Sequence, residues 1–265
     1  MNGYIHLSFI DLSLAVSLLL LITVLSVILS IGIGRTVIIA AVRLVLQLLL
    51  VGFLLLKVFA VQSFWCSLLV VFVMMLAASR EIVARLKSGV QWRWSLGISG
   101  TVTGIVTLIV SFVALNTALR SEPWYDAKYF IPLTGMILGN VMSAASLSLK
   151  GLLDMVQREQ KVIEARLALG HTRRETFNPL VRQAVVMGIM PLINQMSAAG
   201  IVTLPGTMSG QILAGMNPFD AAKYQILLLI IISSAGIMAA IGVSFLAVLR
   251  LTDNRDRLRI DRLFK

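Results

Sequence analysis

The stretch ILLLIIISSAGIMAAIGVSFLAVL, from Ile226 to Leu249, carries no charged residue and decides the fold class. A bilayer core of about 30 Å is crossed by about 20 mainly apolar residues in helical form. A run this long and this apolar would be hard to wrap in water. Six further segments approach the same standard. They are Ser8 to Ile33, with Asp11 near its start, and Thr36 to Leu56, interrupted by Arg43 and Gln47. Then come Phe64 to Ser79, which is short, Leu96 to Leu119, Tyr129 to Leu149 and about Ala184 to Leu204. Backbone groups in lipid must bond within their own segment, so all seven are predicted to be helices. No alternating strand pattern is present, which excludes an outer-membrane barrel.

Composition agrees. Of the 265 residues, 58% are hydrophobic and 13% are charged, with a mean hydropathy of +0.93. Soluble domains carry about a quarter charged residues. The expectation is an all-α integral membrane protein: one transmembrane domain over residues 1–265, a polytopic bundle of about seven transmembrane helices. The first apolar run is too long for the core of a cleaved signal peptide and has no basic cluster before it, so it is expected to be a retained span.

The net charge is +11, and its placement matters more than its size. The basic residues sit in short segments between apolar runs, without the continuous basic surface that nucleic-acid binding uses, so no nucleic-acid partner is expected. On one set of alternate loops and the tail lie 18 basic residues, including Arg35, Arg80, Arg85, Lys150, Arg173 and Arg250. On the other side lie four: Lys57, Arg120, Lys128 and Lys223. The positive-inside rule then puts the N-terminus outside and the C-terminus in the cytoplasm.

One loop looks soluble: LKGLLDMVQREQKVIEARLALGHTRRETFNPLVRQ, Leu149 to Gln183. Gly170 stands where a helix should stop, since glycine accepts the left-handed conformation past a helix end. Thr172 and Glu175 have the spacing of a capping box. The loop therefore predicts a helix over about Asp154 to Leu169, an elbow, and a second helix starting at Arg173 and running toward the sixth span. Pro179 should bend or restart that second helix. A further segment, LPGTMSGQILAGMNP from Leu204 to Pro218, is broken by Gly206, Gly210, Gly215 and two prolines. Its apolar piece is too short to span, so it is expected to be re-entrant or interfacial on the outer side.

Candidate chemistry is sparse. No phosphate loop, serine elbow or zinc-protease motif is present, so neither an enzyme nor a bound cofactor is expected. Cys66 lies in an apolar run, where a buried, inert thiol is the expectation, and His6 and His171 are the only histidines. Arg43 and Gln47 are four apart and share a helical face. They fit either a translocation pathway or subunit contact, or an arginine snorkelling to the interface. Gly135, Gly139 and Ser143 form a small-residue stripe suited to close helix contact, with Asn140 directly beside it. Gly100 and Gly104 repeat the spacing. Asn194 and Gln195 follow Pro191, which should kink the sixth span. These amides fit a pathway lining or a bond to a neighbouring helix. Met136, Met142, Met187, Met190 and Met196 fit a soft-metal path or apolar filler, and filler is the commoner use. No carboxylate lies in the middle of a span, which weighs against proton-coupled transport.

Glu164-Ala165-Arg166-Leu167-Ala168-Leu169-Gly170 resembles the EAA loop of ABC-transporter permeases, Glu-Ala-Ala-x-x-x-Gly, with arginine at the third position and without the usual I-x-L-P downstream. IPLTGMILGNVM (Ile131 to Met142), the elbow, and LPGTMSGQILAGMNPFDAAKYQI (Leu204 to Ile226) together resemble the FetB-type permeases. These are bacterial iron-export ABC permeases related to plant membrane subunits of aluminium-tolerance transporters. Family members often carry Asp and Lys in the sixth span, where this chain has Asn194 and Ser197. The resemblance implies a bacterial inner-membrane permease that pairs with a separate ATPase chain and forms a homodimer. It implies ATPase coupling through Glu164, Ala165, Gly170, His171 and Thr172. Arg43, Gln47, Asn140, Asn194 and Gln195 are the candidate pathway residues. A lipid or sugar-nucleotide cargo, and an ATP-independent channel or carrier, are the alternatives to metal export.

Overall fold

A computed structural model describes residues 9–61, 63–86, 91–119, 126–253 and 257–259. His6 and the basic residues Lys87, Arg120, Arg255, Arg262 and Lys265 lie outside the described residues. Among the described residues nine α-helices follow one another: α1 (Phe9–Ile28), α2 (Gly34–Val61), α3 (Phe64–Ala84), α4 (Trp92–Ala114), α5 (Ala127–Arg158), α6 (Gln160–Ala168), α7 (Arg173–Ala198), α8 (Gly206–Leu213) and α9 (Pro218–Leu251). A π-helical turn, Leu115–Leu119, extends α4. Among the described residues there is no β-strand. Six of these helices, α2 to α5, α7 and α9, are long and apolar enough to cross a membrane, and α1 adds a shorter apolar stretch, Val16–Ile28. The protein is an all-α, polytopic membrane protein.

The chain forms two compact units, residues 1–61 and 62–265. In the first, α1 and α2 pack on each other. Thr23 lies against Gly34, where an added Cβ would meet its methyl at 3.1 Å.

In the second unit α5 is the hub. It packs against α3, α4, α7 and α9, and α9 also packs on α4, α7 and α8. Local signals set the helix ends. Asp126 Oδ1 accepts from the Lys128 amide at 3.0 Å and starts α5. Asn217 Oδ1 accepts from the Phe219 amide at 2.9 Å, and Pro218 occupies the first turn of α9. Such capping satisfies amides that have no partner within the helix.

Helix contacts in lipid depend on small residues and hydroxyls, because the bilayer is as apolar as the side chains. The core obeys this rule. Gly188 of α7 meets α5 so closely that a Cβ there would lie 2.7 Å from the Ala144 carbonyl oxygen and 2.8 Å from Ser148 Cβ. Ser148 Oγ lies 2.7 Å from Ser244 Oγ and 3.2 Å from the Ala240 carbonyl, which also accepts from Ser244. Helices α5 and α9 are thereby pinned by hydroxyls. On α4, Ser95, Ser99, Thr103, Thr107 and Ser111 recur every fourth residue, and all are buried. Thr103 donates to the Ser99 carbonyl at 2.6 Å and lies 3.4 Å from Ser79 of α3.

The expected close-contact stripe on α5 is met only at one end. Gly135 faces Met74 of α3, where a Cβ would come within 3.0 Å of its methyl. Gly139 has nothing within 4 Å, and Ser143 bonds its own helix at the Gly139 carbonyl. The small residues that seat α7 lie on the neighbouring face, at Ala144 and Ser148. A Cβ added at Gly100 would lie 3.5 Å from Ser79 Oγ, an ordinary packing distance, and one added at Gly104 would meet nothing within 4 Å.

Two boundaries depart from the sequence expectation. Helix α5 continues to Arg158, well past Leu149, and a separate short helix begins at Gln160. The cytoplasmic helix expected over about Asp154 to Leu169 is therefore split at Glu159. Helix α7 ends at Ala198, short of Leu204. Its chain turns through Gly200, with the Val202 amide donating to the Ala198 carbonyl at 2.9 Å. Ile201, Val202 and Leu204 extend the apolar run in sequence, yet they form an exposed turn. Helix α7 is unbroken across Pro179 and Pro191, so neither proline restarts it.

Candidate functional site

The elbow forms from residues 159 to 175 as three local devices in series. Helix α6 presents Ile163 inward, buried at 2% exposure, and packs on α7 and α5. Its outer side carries Val162, Glu164, Ala165 and Arg166, all exposed. Gln160 Nε2 donates to Glu164 Oε1 at 3.0 Å, one helical turn apart. Gly170 then takes φ +90°, a left-handed conformation that a side chain would strain. Its amide donates to the Leu167 carbonyl at 3.1 Å, and the His171 amide donates to the Arg166 carbonyl at 3.1 Å. These bonds close the end of α6.

Thr172 opens α7 with a complete capping box. Glu175 N–H donates to Thr172 Oγ1 at 3.3 Å, and Thr172 N–H donates to Glu175 Oε2 at 2.9 Å. His171 Nδ1 stands 4.0 Å from that same carboxylate. The elbow tip is Leu169, an aliphatic side chain 80% exposed. All five expected coupling residues, Glu164, Ala165, Gly170, His171 and Thr172, are exposed and lie within this one turn.

The turn is tied to the helices behind it. Phe177 is buried at 1% exposure below the elbow, in the same core cluster as Ile163, Val156 and Leu251. Arg173 Nη1 donates to Thr252 Oγ1 at 3.2 Å, and Thr252 Oγ1 donates to the Val248 carbonyl at 3.0 Å. The first residue of α7 therefore holds the last turn of α9.

Helix α7 carries this contact into the bundle on one face only. Thr176, Phe177, Leu180, Val181, Ala184, Gly188 and Leu192 are buried. The opposite side leaves Asn178, Arg182, Gln183, Val186, Met187, Met190 and Asn194 exposed. An open depression of about 640 Å³ runs along Asn178, Pro179, Arg182, Gln183, Val186 and Met187.

The candidate pathway residues divide between the two units. Arg43 and Gln47 lie on α2 of the first unit, exposed and one turn apart. Asn140 is half-buried on α5, and its Nδ2 donates to the Met136 carbonyl at 3.0 Å within its own helix. Asn194 and Gln195 occupy the last turn of α7 and are exposed. The Gln195 carbonyl accepts from the Ala199 amide at 3.1 Å and ends the helix. Gly188 beside Ala144 and Ser148, with Met187 and Ala184 beside Gly151, sets α5 and α7 antiparallel. On that register Asn194 comes within about one helical turn of the level of Asn140. No hydrogen bond joins the two amides among the described residues. Nor do those residues include a group of three or more His, Cys, Asp or Glu placed to hold a metal ion.

Residues 9–251 match the Uncharacterised protein family (UPF0014). The chain belongs to the UPF0014 family. A UPF0014 membrane protein of Synechocystis sp. is 38% identical over 207 residues, 76% of this chain and 77% of the relative. The probable iron export permease protein FetB of Escherichia coli K12 is 31% identical over 223 residues, 84% of each chain. The UPF0014 membrane protein STAR2 of rice, Oryza sativa subsp. japonica, is 30% identical over 215 residues, 81% of this chain and 73% of the relative. No solved structure matches the chain. The bacterial and plant relatives bear out the family resemblance drawn from the LPG segment and the elbow.

In this UPF0014 chain the LPG segment forms α8, a helix of eight residues. Gly215 at φ +93° ends it. Thr207 Oγ1 donates to Gln225 Oε1, so α8 is pinned to a nearly buried amide of α9. Neither partner was singled out from the sequence, and nor were the Arg173–Thr252 bond and the Gly188 contact. Each joins residues distant in the chain. Only the hydroxyl stripe on α4, with its strict period of four, was available to a closer reading.

Proposed function

We propose that this chain is the membrane-spanning permease subunit of an ABC transporter that exports a metal ion, iron first among candidates, with ATP hydrolysis on a separate cytoplasmic chain. The elbow is the observation that carries the reading. Its residues are exposed on the outside and locked on the inside, as a surface that transmits force must be. Leu169 and Val162 offer apolar contact to a partner, and Glu164 and Arg166 offer charge. A push on Thr172 or Arg173 moves α7 directly and α9 through Thr252.

The basic residues support an orientation with the elbow and C-terminus in the cytoplasm and the N-terminus outside. The unpartnered face of α7, with Gly139 and Ser143 of α5, supports a homodimer whose substrate path runs between subunits. Asn140, Asn194, Gln195, Arg43 and Gln47 are its candidate lining. The name of the E. coli relative supports iron export. The lack of a carboxylate, cysteine or histidine cluster among the described residues favours a second reading, a non-metal cargo such as a lipid or sugar nucleotide, since hard cations prefer several oxygen ligands.

The test is co-expression with a candidate ABC ATPase chain from the same organism. Gly170→Val forces a side chain into a left-handed position, and Glu164→Arg reverses the charge on the outer face of α6. Both variants should reach the membrane and lose most of the co-purifying ATPase. Full retention of coupled ATPase would refute the coupling role. Intracellular iron under iron load, compared with and without the gene, separates the cargo readings. Equal iron in both strains removes iron as the cargo.

A further inference from the structure

A second cavity lies at the same end of the second unit, between the start of α7 and the end of α9. It has a volume of about 170 Å³ and is lined by Arg173, Arg174, Phe177, Asn178, Val181, Phe245, Val248 and Leu249. Its polar groups sit on the first turns of α7: two guanidiniums and an amide. The rest of the wall is hydrocarbon. Phe177, Val181 and Val248 form the buried floor, and Phe245 and Leu249 are about half exposed beside it.

The charge in this cavity is not neutralised from within. Arg174 is exposed, and its side chain makes no hydrogen bond or ion pair among the described residues. Arg173 gives one N–H to Thr252, leaving the other donors of its fork. Glu175, two residues from Arg173, closes the capping box on Thr172. Asp253, beside Thr252, accepts from the Arg257 amide at 2.9 Å.

We propose that this cavity binds an anionic phospholipid, with its phosphate on Arg173 and Arg174 and its acyl chain along Phe245, Val248 and Leu249. Guanidinium groups match phosphate oxygens through paired N–H donors. Basic pockets between transmembrane helices at the cytoplasmic side suit anionic head groups. The apolar wall decides between a lipid and free phosphate. A soluble anion would leave Phe245 and Leu249 uncovered, whereas a lipid covers them with its chain. The cavity is too small for a whole lipid, so it encloses the phosphate end, and the chains follow the open side of α9 into the bilayer. The site adjoins the Arg173–Thr252 bond, so an occupant would brace the contact behind the elbow. The inference rests on the proposed orientation, with this end of the bundle at the cytoplasmic side of the bilayer, and is independent of what the permease carries.

Native mass spectrometry of the full-length protein, delipidated in detergent and titrated with phosphatidylglycerol or phosphatidylcholine, tests it. Wild type should retain phosphatidylglycerol preferentially. Arg174→Gln should weaken that retention about tenfold, the worth of a charge-assisted hydrogen bond. Arg158→Gln removes one charge at the end of α5, outside the cavity, and should leave retention unchanged. Leu249→Gln keeps both arginines and should also weaken lipid retention, which keeps the test open if Arg174→Gln does not fold. Equal retention of the two lipids by wild type would overturn the proposal, as would an unchanged preference in a folded Arg174→Gln protein. Displacement of the lipid by millimolar inorganic phosphate, matched by indifference to Leu249→Gln, would make the site one for a soluble anion and would equally overturn it.

Discussion

Helices α2 and α5 are both long and apolar, and they differ in what surrounds them. In α2, two of 28 residues are buried within the chain, Gly34 and Val58. In α5, sixteen of 32 are buried, among them Thr134, Ser146 and Ser148. The helix richer in leucine and valine is the less buried one. In water the ranking would be reversed. In a bilayer, large aliphatic side chains are at ease against lipid, and the interior goes to residues small enough for backbones to approach or able to bond across helices. Hydropathy therefore located the spans, while glycine, serine and threonine located the packed interior.

The sharpest test of this contrast is Gly188→Ala. The new methyl would lie 2.7 Å from a backbone carbonyl of α5, which cannot swing aside as a side chain can. Overpacking of a tight core costs about 1–3 kcal/mol, more than the gain of up to about 1 kcal/mol expected from replacing a helical glycine with alanine. Thermal unfolding in detergent should show a clear loss of stability and of monodisperse protein. Gly236→Ala should be milder, because the group it meets is the Leu192 methyl at the end of a flexible side chain. Equal stability of Gly188→Ala and wild type would mean that α5 and α7 are not in the close contact described.

That contact also marks the limit of what the sequence could disclose. The seven apolar segments were legible because each had to satisfy the bilayer by itself. The elbow was legible for the same reason: Gly170, Thr172 and Glu175 act on their own neighbours within six residues. The split at Glu159 was hidden because α5 leaves the apolar region without ending its helix, so hydropathy and helicity part company there. The early end of α7 was hidden because Ile201, Val202 and Leu204 imitate a span. Asn194 and Gln195 do lie within the apolar helix α7, but nearer its end than a span reaching Leu204 would place them. Gly135, Gly139 and Ser143 were expected to seat a helix, but a four-residue stripe of small groups does not say which neighbour will come to it. Ser148 and Gly188, 40 positions apart in the chain, could be paired only in space.

A smaller effect is expected at the hydroxyl pin between α5 and α9. Ser148→Ala removes the 2.7 Å contact with Ser244 but leaves Ser244 donating to the Ala240 carbonyl, so no buried donor is stranded. Interhelical hydrogen bonds in a membrane average about 0.6 kcal/mol. The unfolding midpoint should fall slightly and the protein should stay folded. A loss as large as that of Gly188→Ala would mean that the hydroxyl, rather than the close backbone approach, holds the bundle.

The smallest effect should come from the same glycine-to-alanine change on the other helix. Gly52 lies in α2, and an added Cβ meets nothing within 4 Å. With no clash, the backbone term is left alone, and alanine favours a helix interior over glycine by about 0.5–1 kcal/mol. Gly52→Ala should therefore leave stability unchanged or raise it slightly, the opposite sign to Gly188→Ala. The measurement has to be made twice, on dilute protein and on protein in reconstituted membranes. A single chain with α2 facing lipid gives the same answer in both. If the substitution is harmless when dilute but damaging in the membrane, a neighbouring subunit approaches the backbone at Gly52, and α2 is then an interface helix, the role proposed for α7, with Gln47 and Arg43 about one and a half and two and a half turns from the contact. Damage under both conditions would break the contrast itself, because α2 would then be packed within its own chain.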